Sequence, residues 1–319
     1  MTQVAGSTKS KNIPLNDRAL SAIARVTLTL IALNLSACGG FKSAPVVEPI
    51  VDTAAESAPG STPSAFEYHP SKIIGINPLV PMRADGANTD STFRTVLDAF
   101  GLVTMGDSGS CSGTHLGNDY VLTAGHCFLE NTYSTSMTNQ ACPTVKVYWG
   151  YRGSPSTGSP KPVVTQTSQC TQVIYAVLNS DLDFAIFKVD QAPKVKVSPA
   201  MESARTPVKT KITIFGYPMG RPLEWSQYCA VTKSTVVGKP FSSASRVAYQ
   251  CDTQPGNSGS SVIALNTAGV PKVVAVHDAA APDPIQYNIG TYMYDIRQTL
   301  KKKGVDLDSL TGATPIQAN

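Results

Sequence analysis

From Ile73 onward the chain is written in short runs of β-branched and aromatic residues, each stopped by Gly, Pro, Asn or Ser. The runs are Tyr120–Thr123, Val145–Trp149, Val173–Val177, Phe184–Val189, Lys211–Phe215, Arg246–Gln250, Ser261–Leu265 and Lys272–Val276. They are too short for helices and carry the residues that suit a pleated, half-buried surface. Many short strands punctuated this way predict an all-β sandwich or barrel. One helix is expected, Tyr294 to Lys303. It places Ile296 and Leu300 at i, i+4, ends in lysines that suit the negative pole of a helix, and meets Gly304 as a C-cap. No short internal repeat is present, and about 245 residues suit two barrels in one continuous unit.

The N-terminal part has a different texture. Lys9, Lys11, Arg18 and Arg25 precede an apolar run, Val26 to Leu35, which is short for a membrane span and has the length of a signal-peptide core. The run ends in Leu35-Ser36-Ala37-Cys38-Gly39, which resembles the bacterial lipobox. That resemblance implies cleavage before Cys38 and lipid attachment to it, holding an exported protein to a membrane surface by burial of acyl chains. Residues 39–72 are rich in Pro, Ala, Ser and Glu and read as a disordered tether or propeptide, with the folded domain spanning 73–319.

Of the 319 residues only 15% are charged, and residues 1–38 hold four of the 26 Lys/Arg against one of the 22 Asp/Glu. The remainder is close to neutral and has no basic block, so no nucleic-acid partner is expected. The seven cysteines are scattered without a CxxC pair. They argue for an oxidising compartment rather than for zinc, and no metal or cofactor is expected.

Within Tyr249–Val262, YQCDTQPGNSGSSV, a serine stands between glycines at Gly256-Asn257-Ser258-Gly259. Alone this is the composition of an ordinary turn. A serine hydroxyl becomes a nucleophile at neutral pH only beside a base, and histidine is that base when a carboxylate fixes its tautomer. Four histidines exist, at positions 69, 115, 126 and 277. His69 lies in the tether. His115, in a Ser/Gly/Thr stretch without a nearby carboxylate, reads as a surface histidine. His126 directly follows a β-rich run in Leu122-Thr123-Ala124-Gly125-His126-Cys127. Asp183 opens an apolar run in Asp181-Leu182-Asp183-Phe184-Ala185-Ile186, where a charge is costly to bury without a partner.

These three segments, in the order His…Asp…Ser, resemble the motifs of the chymotrypsin/trypsin-family serine proteases, across roughly Ile73 to Lys303. The resemblance implies two six-stranded antiparallel β-barrels followed by a C-terminal helix. It implies a peptidase acting through an acyl-enzyme on protein or peptide substrates, as a monomer. His126 takes the place of general base, Asp183 of its orienting partner and Ser258 of the nucleophile, with the N–H groups of Gly256 and Ser258 as oxyanion hole. It also implies a disulfide between Cys111 and Cys127, after which Cys229–Cys251 and Cys142–Cys170 are the expected pairs. Gly106-Asp107-Ser108-Gly109 copies the trypsin nucleophile tetrapeptide but precedes His126, and reads as a loop.

Within the family the chain is most similar to the bacterial glutamyl endopeptidases. The similar segments are Ser71-Lys72-Ile73-Ile74-Gly75, Gly109-Ser110-Cys111-Ser112-Gly113, Tyr249-Gln250-Cys251-Asp252-Thr253 and Val276-His277. This implies processing between Lys72 and Ile73, and recognition of a substrate glutamate by Thr253 and His277, both able to donate to a carboxylate. Asp252 stands where trypsin has its Arg/Lys-selecting aspartate, so cleavage after basic residues is the competing expectation. Asn257 departs from trypsin, whose aspartate before the serine pairs with the new N-terminal amine. A third expectation, of another class, is a protease-like surface lipoprotein that only binds.

Overall fold

The computed structural model describes residues 71–74, 79–106, 109–129, 135–142, 144–153, 162–195, 197–237 and 243–312. The signal segment with Cys38, residues 39–70 of the tether with His69, and Asp107 and Ser108 of the Gly106–Gly109 loop lie outside the described residues.

A two-residue strand, β1 (Val80–Pro81), precedes the first barrel. That barrel comprises β2 (Phe100–Thr104), β3 (Ser110–Gly117), β4 (Tyr120–Thr123), β5 (Thr135–Ala141), β6 (Lys146–Trp149), β7 (Gln166–Leu178) and β8 (Asp183–Val189). The antiparallel ring runs β7-β6-β2-β3-β4-β8 and closes by pairing of β7 with β8; β5 lies outside the ring, on β7. The second barrel comprises β9 (Ala200–Met201), β10 (Lys211–Gly216), β11 (Glu224–Lys233), β12 (Arg246–Tyr249), β13 (Ser261–Leu265), β14 (Pro271–Ala280) and β15 (Asn288–Tyr292). Its ring is β11-β10-β13-β14-β15-β12, closed by β11 against β12, with β1 added to β11 and β9 to β14. Each ring is thus a closed six-stranded antiparallel barrel, the expected architecture, and closure leaves the ring strands without open edges.

Each barrel is filled by its own apolar cluster. Val103, Val121, Val147, Trp149, Val173 and Phe187 fill the first. Ile212, Ile214, Val247, Tyr249, Val262 and Val274 fill the second. A third cluster lies between them and joins Phe100, Leu122 and Phe184 of the first barrel to Phe215, Tyr217 and Ile263 of the second. Phe100 and Phe215 stack at 5.2 Å between ring centroids. Each such side chain contributes about 1.5–3 kcal/mol of burial free energy, which ties the barrels into one packed body.

The chain order of the helices follows the barrels. A single turn, α1 (His126–Leu129), leaves β4. α2 (Met293–Lys302) leaves β15 and buries Met293, Ile296 and Leu300 in the shared cluster. It stops where Val305 N–H reaches back to the Leu300 carbonyl at 2.9 Å. A second short helix follows, α3 (Leu307–Thr311). Among the described residues no helix is long and apolar enough to cross a membrane.

Two of the strands that the sequence signals miss are instructive. β3 reads SCSGTHLG and β11 reads EWSQYCAVTK, both polar and poor in branched apolar residues. They are strands because ring neighbours pair with them on both sides. One expectation is corrected. His115 is not a surface residue: it is 4% exposed, with Nδ1 2.7 Å from Ser198 Oγ and Nε2 2.7 Å from the Asn118 carbonyl. Ser198 and Asn118 satisfy both ring nitrogens, so burial needs no carboxylate.

Candidate active site

His126 and Asp183 come from adjacent corners of the first barrel. β4 pairs with β8, so the ends of these strands lie side by side, with Thr123 opposite Ala185. The turn from β4 into α1 passes so close to β7 and β8 that a Cβ on Gly125 would sit 2.0 Å from the Val177 carbonyl oxygen and 2.9 Å from that of Phe184. Only glycine fits there. The close approach brings Asp183 to both polar faces of His126: its Oδ1 accepts the backbone N–H of His126 at 2.9 Å, and its Oδ2 lies 2.8 Å from Nδ1. Nδ1 therefore carries the proton, leaving Nε2 as the basic nitrogen.

Asp183 is completely buried, while the His126 side chain is 10% exposed. Burial pushes the Asp183 carboxyl upward. The charge and hydrogen bond of His126 and the charge of Arg246 outweigh this and leave it below the ordinary carboxylate range. The carboxylate is ionised at neutral pH and acts on the imidazole as a fixed negative charge.

Ser258 sits on the turn between β12 and β13, and is 4% exposed. The turn is tightened by Asn257 N–H to the Gln254 carbonyl and Ser260 N–H to the Asn257 carbonyl, at 3.0 and 2.8 Å. Gly259, at φ +85°, packs against the strand that ends at His126: a Cβ there would lie 2.1 Å from Thr123 Oγ1 and 2.9 Å from Ala124 N. The serine turn and the histidine turn are thereby interlocked, although they belong to different barrels. Among the described residues, neither the Gly256 nor the Ser258 N–H has an acceptor within the protein. Two unengaged backbone donors beside a serine are what a developing oxyanion requires.

Sequence reasoning missed Ser112. Its N–H donates to the Ser258 carbonyl at 2.7 Å, its hydroxyl donates to the Gly256 carbonyl at 2.9 Å, and Ser112 Oγ itself accepts Tyr217 N–H at 2.9 Å. One small side chain of the first barrel thus fixes both peptide units of the serine turn. Only its position within the Gly109–Gly113 segment marks it in the sequence.

Cys111 is bonded to Cys127, Cys142 to Cys170 and Cys229 to Cys251. The first bond ties β3 to the turn carrying His126. It also occupies both sulfurs of the Cys111–His126–Cys127 grouping, so no thiolate is left there for a metal. The three bonds mark an exported protein from an oxidising compartment.

Asp252, Thr253 and His277 lie near the serine turn and are 3%, 0% and 0% exposed. Tyr249 OH donates to the Ile289 carbonyl at 2.9 Å and lies 2.8 Å from His277 Nδ1, so Nδ1 donates to the phenol oxygen. Residues 71–74 run as a strap beside them. Lys72 N–H donates to Thr253 Oγ1 at 3.2 Å, and the Lys72 carbonyl accepts Thr253 N–H at 3.0 Å and Asn288 Nδ2 at 2.8 Å. Its ammonium is held by Asp283 at 2.5 Å and the carbonyls of Ala281 and Ile285 at 3.1 and 2.9 Å. Ile74 N–H donates to Asp252 Oδ1 at 2.6 Å.

A sequence model described as a trypsin-like peptidase domain matches residues 111–276, a span that includes His126, Asp183 and Ser258. The chain belongs to the trypsin-like peptidase family. It is a serine peptidase, and the family's substrates are proteins or peptides. No curated protein matches the chain. Among solved structures, one of a Glu endopeptidase in complex with MPD is 20% identical, covers 73% of this peptidase and 98% of that chain, and gives a TM-score of 0.48. An inactive-form serine-to-alanine mutant of Rv3671c from M. tuberculosis H37Rv is 15% identical over 72% of this chain and 94% of that one, with a TM-score of 0.47. A second inactive form of the Rv3671c protease is also 15% identical, over 67% and 93% of the chains, with a TM-score of 0.45.

Proposed function

We propose that this peptidase cleaves peptide bonds on the carboxyl side of Glu or Asp, through an acyl-enzyme on Ser258. The observation that carries the catalytic half is the double engagement of His126 by buried Asp183, at 2.9 and 2.8 Å. It leaves Nε2 free of a proton and able to take one from the Ser258 hydroxyl as Oγ attacks the substrate carbonyl. The resulting oxyanion is met by Gly256 and Ser258 N–H. His126 then returns the proton to the leaving amine, and water repeats the sequence on the acyl-enzyme. Each oxyanion donor is worth about 3 kcal/mol in the transition state.

The acidic preference rests on Asp252. A trypsin-like pocket needs that carboxylate facing the substrate, whereas here it is almost fully buried and accepts Ile74 N–H. Thr253 then supplies a hydroxyl donor for a substrate carboxylate, and His277, whose Nδ1 proton goes to Tyr249, supplies a second from Nε2 as the imidazolium. Cleavage after Lys72 would release Lys72 from Thr253 and Asn288 and create an ammonium at Ile73, a cation suited to an acidic side chain. In the same reading Cys38 carries the lipid, residues 39–72 are tether and propeptide, the protein works as a monomer at a membrane surface, and this processing detaches it.

The test has two stages. A fluorophosphonate probe should label the purified peptidase, and Ser258→Ala should abolish labelling; absence of Ser258-dependent labelling, with or without cleavage at Lys72, leaves the non-catalytic lipoprotein. Cleavage of a peptide library should then show Glu or Asp before the cut. A preference for Arg or Lys lost in Asp252→Ser would establish the trypsin-like specificity instead.

A further inference from the structure

The second barrel buries an ion pair that the chemistry above does not use. Arg246 on β12 and Asp278 on β14 have completely buried side chains, with NH1 2.8 Å from Oδ1. A buried ion pair is a weak source of stability, since a well-packed apolar pair of similar volume serves equally well. Further bonds from both side chains lead toward Asp183. Arg246 Nε donates to the Ser180 carbonyl at 3.0 Å and NH2 to the Asn179 carbonyl at 2.9 Å. These belong to the turn that delivers Asp183, closed by Asn179 N–H to the Leu182 carbonyl at 2.9 Å. From the other side, Asp278 Oδ2 accepts the Thr291 hydroxyl at 2.6 Å, and Thr291 Oγ1 accepts the backbone N–H of Asp183 at 3.0 Å.

We propose that Arg246 and Asp278 are positioning residues for Asp183, fixing its backbone from two sides and setting the charge felt by His126. This rests on Asp183 being the partner of His126 in catalysis. With Asp278 ionised, Asp183, Asp278 and Arg246 together carry one net negative charge, which protonation of His126 during acylation neutralises. Asp278 therefore favours the imidazolium and Arg246 opposes it. The charges sense one another: burial pushes Asp278 up to about 7, Arg246 pulls it down, and Asp183 raises it further. The titratable groups around Asp278 are Arg246 and Tyr249 from β12, its own neighbour His277, and Asp183 with His126 from the first barrel; Thr291 of β15 is neutral.

The experiment compares kcat and kcat/KM across pH for wild type, Asp278→Asn and the double variant Arg246→Gln/Asp278→Asn, with fluorophosphonate labelling of each. Asp278→Asn removes one negative charge from the cluster and leaves Arg246 balanced by Asp183 alone. It should lower kcat about tenfold with KM unchanged, and move the acid limb of kcat/KM down by about one pH unit. The double variant restores one net negative charge and should return the acid limb to the wild-type position, with kcat still reduced because the Asn179–Ser180 turn loses its clamp. An acid limb and kcat equal to wild type in whichever of these variants folds would reduce the pair to a structural element and overturn the proposal. Wild-type protein that fails to label would instead sink the underlying reading of Ser258, His126 and Asp183, so the two failures are distinguishable.

Discussion

At the scale of single residues, burial decides what each titratable group does. Asp183 is buried yet ionised because His126 and Arg246 face it, so its charge acts on the imidazole from within the protein. Asp183→Asn keeps the shape but reverses the hydrogen bond at Nδ1. It should lower kcat about 10⁴-fold with little change in KM, measured on a chromogenic peptide at saturating substrate. His115 shows the opposite outcome of burial. Desolvation depresses it below the ordinary histidine value, with the hydrogen bond to the Asn118 carbonyl partly opposing. A depressed histidine contributes stability that is complete above about pH 6.5 and is lost as pH falls through its folded-state value. Urea unfolding at pH 7.5 and pH 5 should show this loss in wild type, about 1.4 kcal/mol per pKa unit of depression. His115→Gln, which can still donate to Asn118, should lose the part of the pH dependence that lies above the carboxylate range.

At the scale of elements, the site is made by turns whose glycines allow contact between strands. Gly125 is the tightest case, because the atoms its Cβ would meet are backbone oxygens of β7 and β8, which cannot rotate away. Gly125→Ala must lift α1 off β8 and draw His126 away from Asp183. The expected result is about 1–3 kcal/mol of destabilisation and a fall of about 100-fold in kcat for a shift near 1 Å. Chemical denaturation and steady-state kinetics on the same preparation check both; an unchanged kcat would show that the turn tolerates displacement. Ser112 plays the complementary part on the serine side, holding the Gly256 and Ser258 carbonyls of the turn.

At the scale of the whole molecule, His126 and Asp183 belong to the first barrel and Ser258 to the second, so their mutual geometry depends on the interface. Phe215 lies at its centre, stacked on Phe100 at 5.2 Å and on Trp225 at 6.2 Å, and edge-on to Phe93 at 5.2 Å. The buried hydrogen bond from Ser261 Oγ to Thr114 Oγ1, at 2.7 Å, also crosses between barrels. Phe215→Ala should cost about 3–5 kcal/mol. Because the cluster belongs to both barrels, calorimetry should show one unfolding transition moving to lower temperature. Two resolved transitions would mean that the barrels fold independently.

Much of this was legible in the chain itself. The strands β4 and β13 were bounded to the residue by their β-rich runs and turn signals, because both lie inside a barrel and bury branched residues between breakers. His126, Asp183 and Ser258 stand in local patterns that a strand end or a tight turn demands, so their types and order could be read without coordinates. β3 and β11 could not, since their polar sequences become strands only through partners distant in the chain. The role of His115 was hidden for the same reason: Ser198, 83 positions away, is what satisfies its ring. Asp252 and Thr253 were legible as residues close to Ser258 in the chain, but the contacts of Lys72 and Ile74 with them arise from segments about 180 residues apart meeting in the folded state. The sequence by itself determined the residue types, the alternation and the turns, because these are local chemistry. Only the tertiary structure decided which charges are buried together, Arg246 and Asp278 behind Asp183 above all, because burial depends on what the rest of the chain places around a side chain.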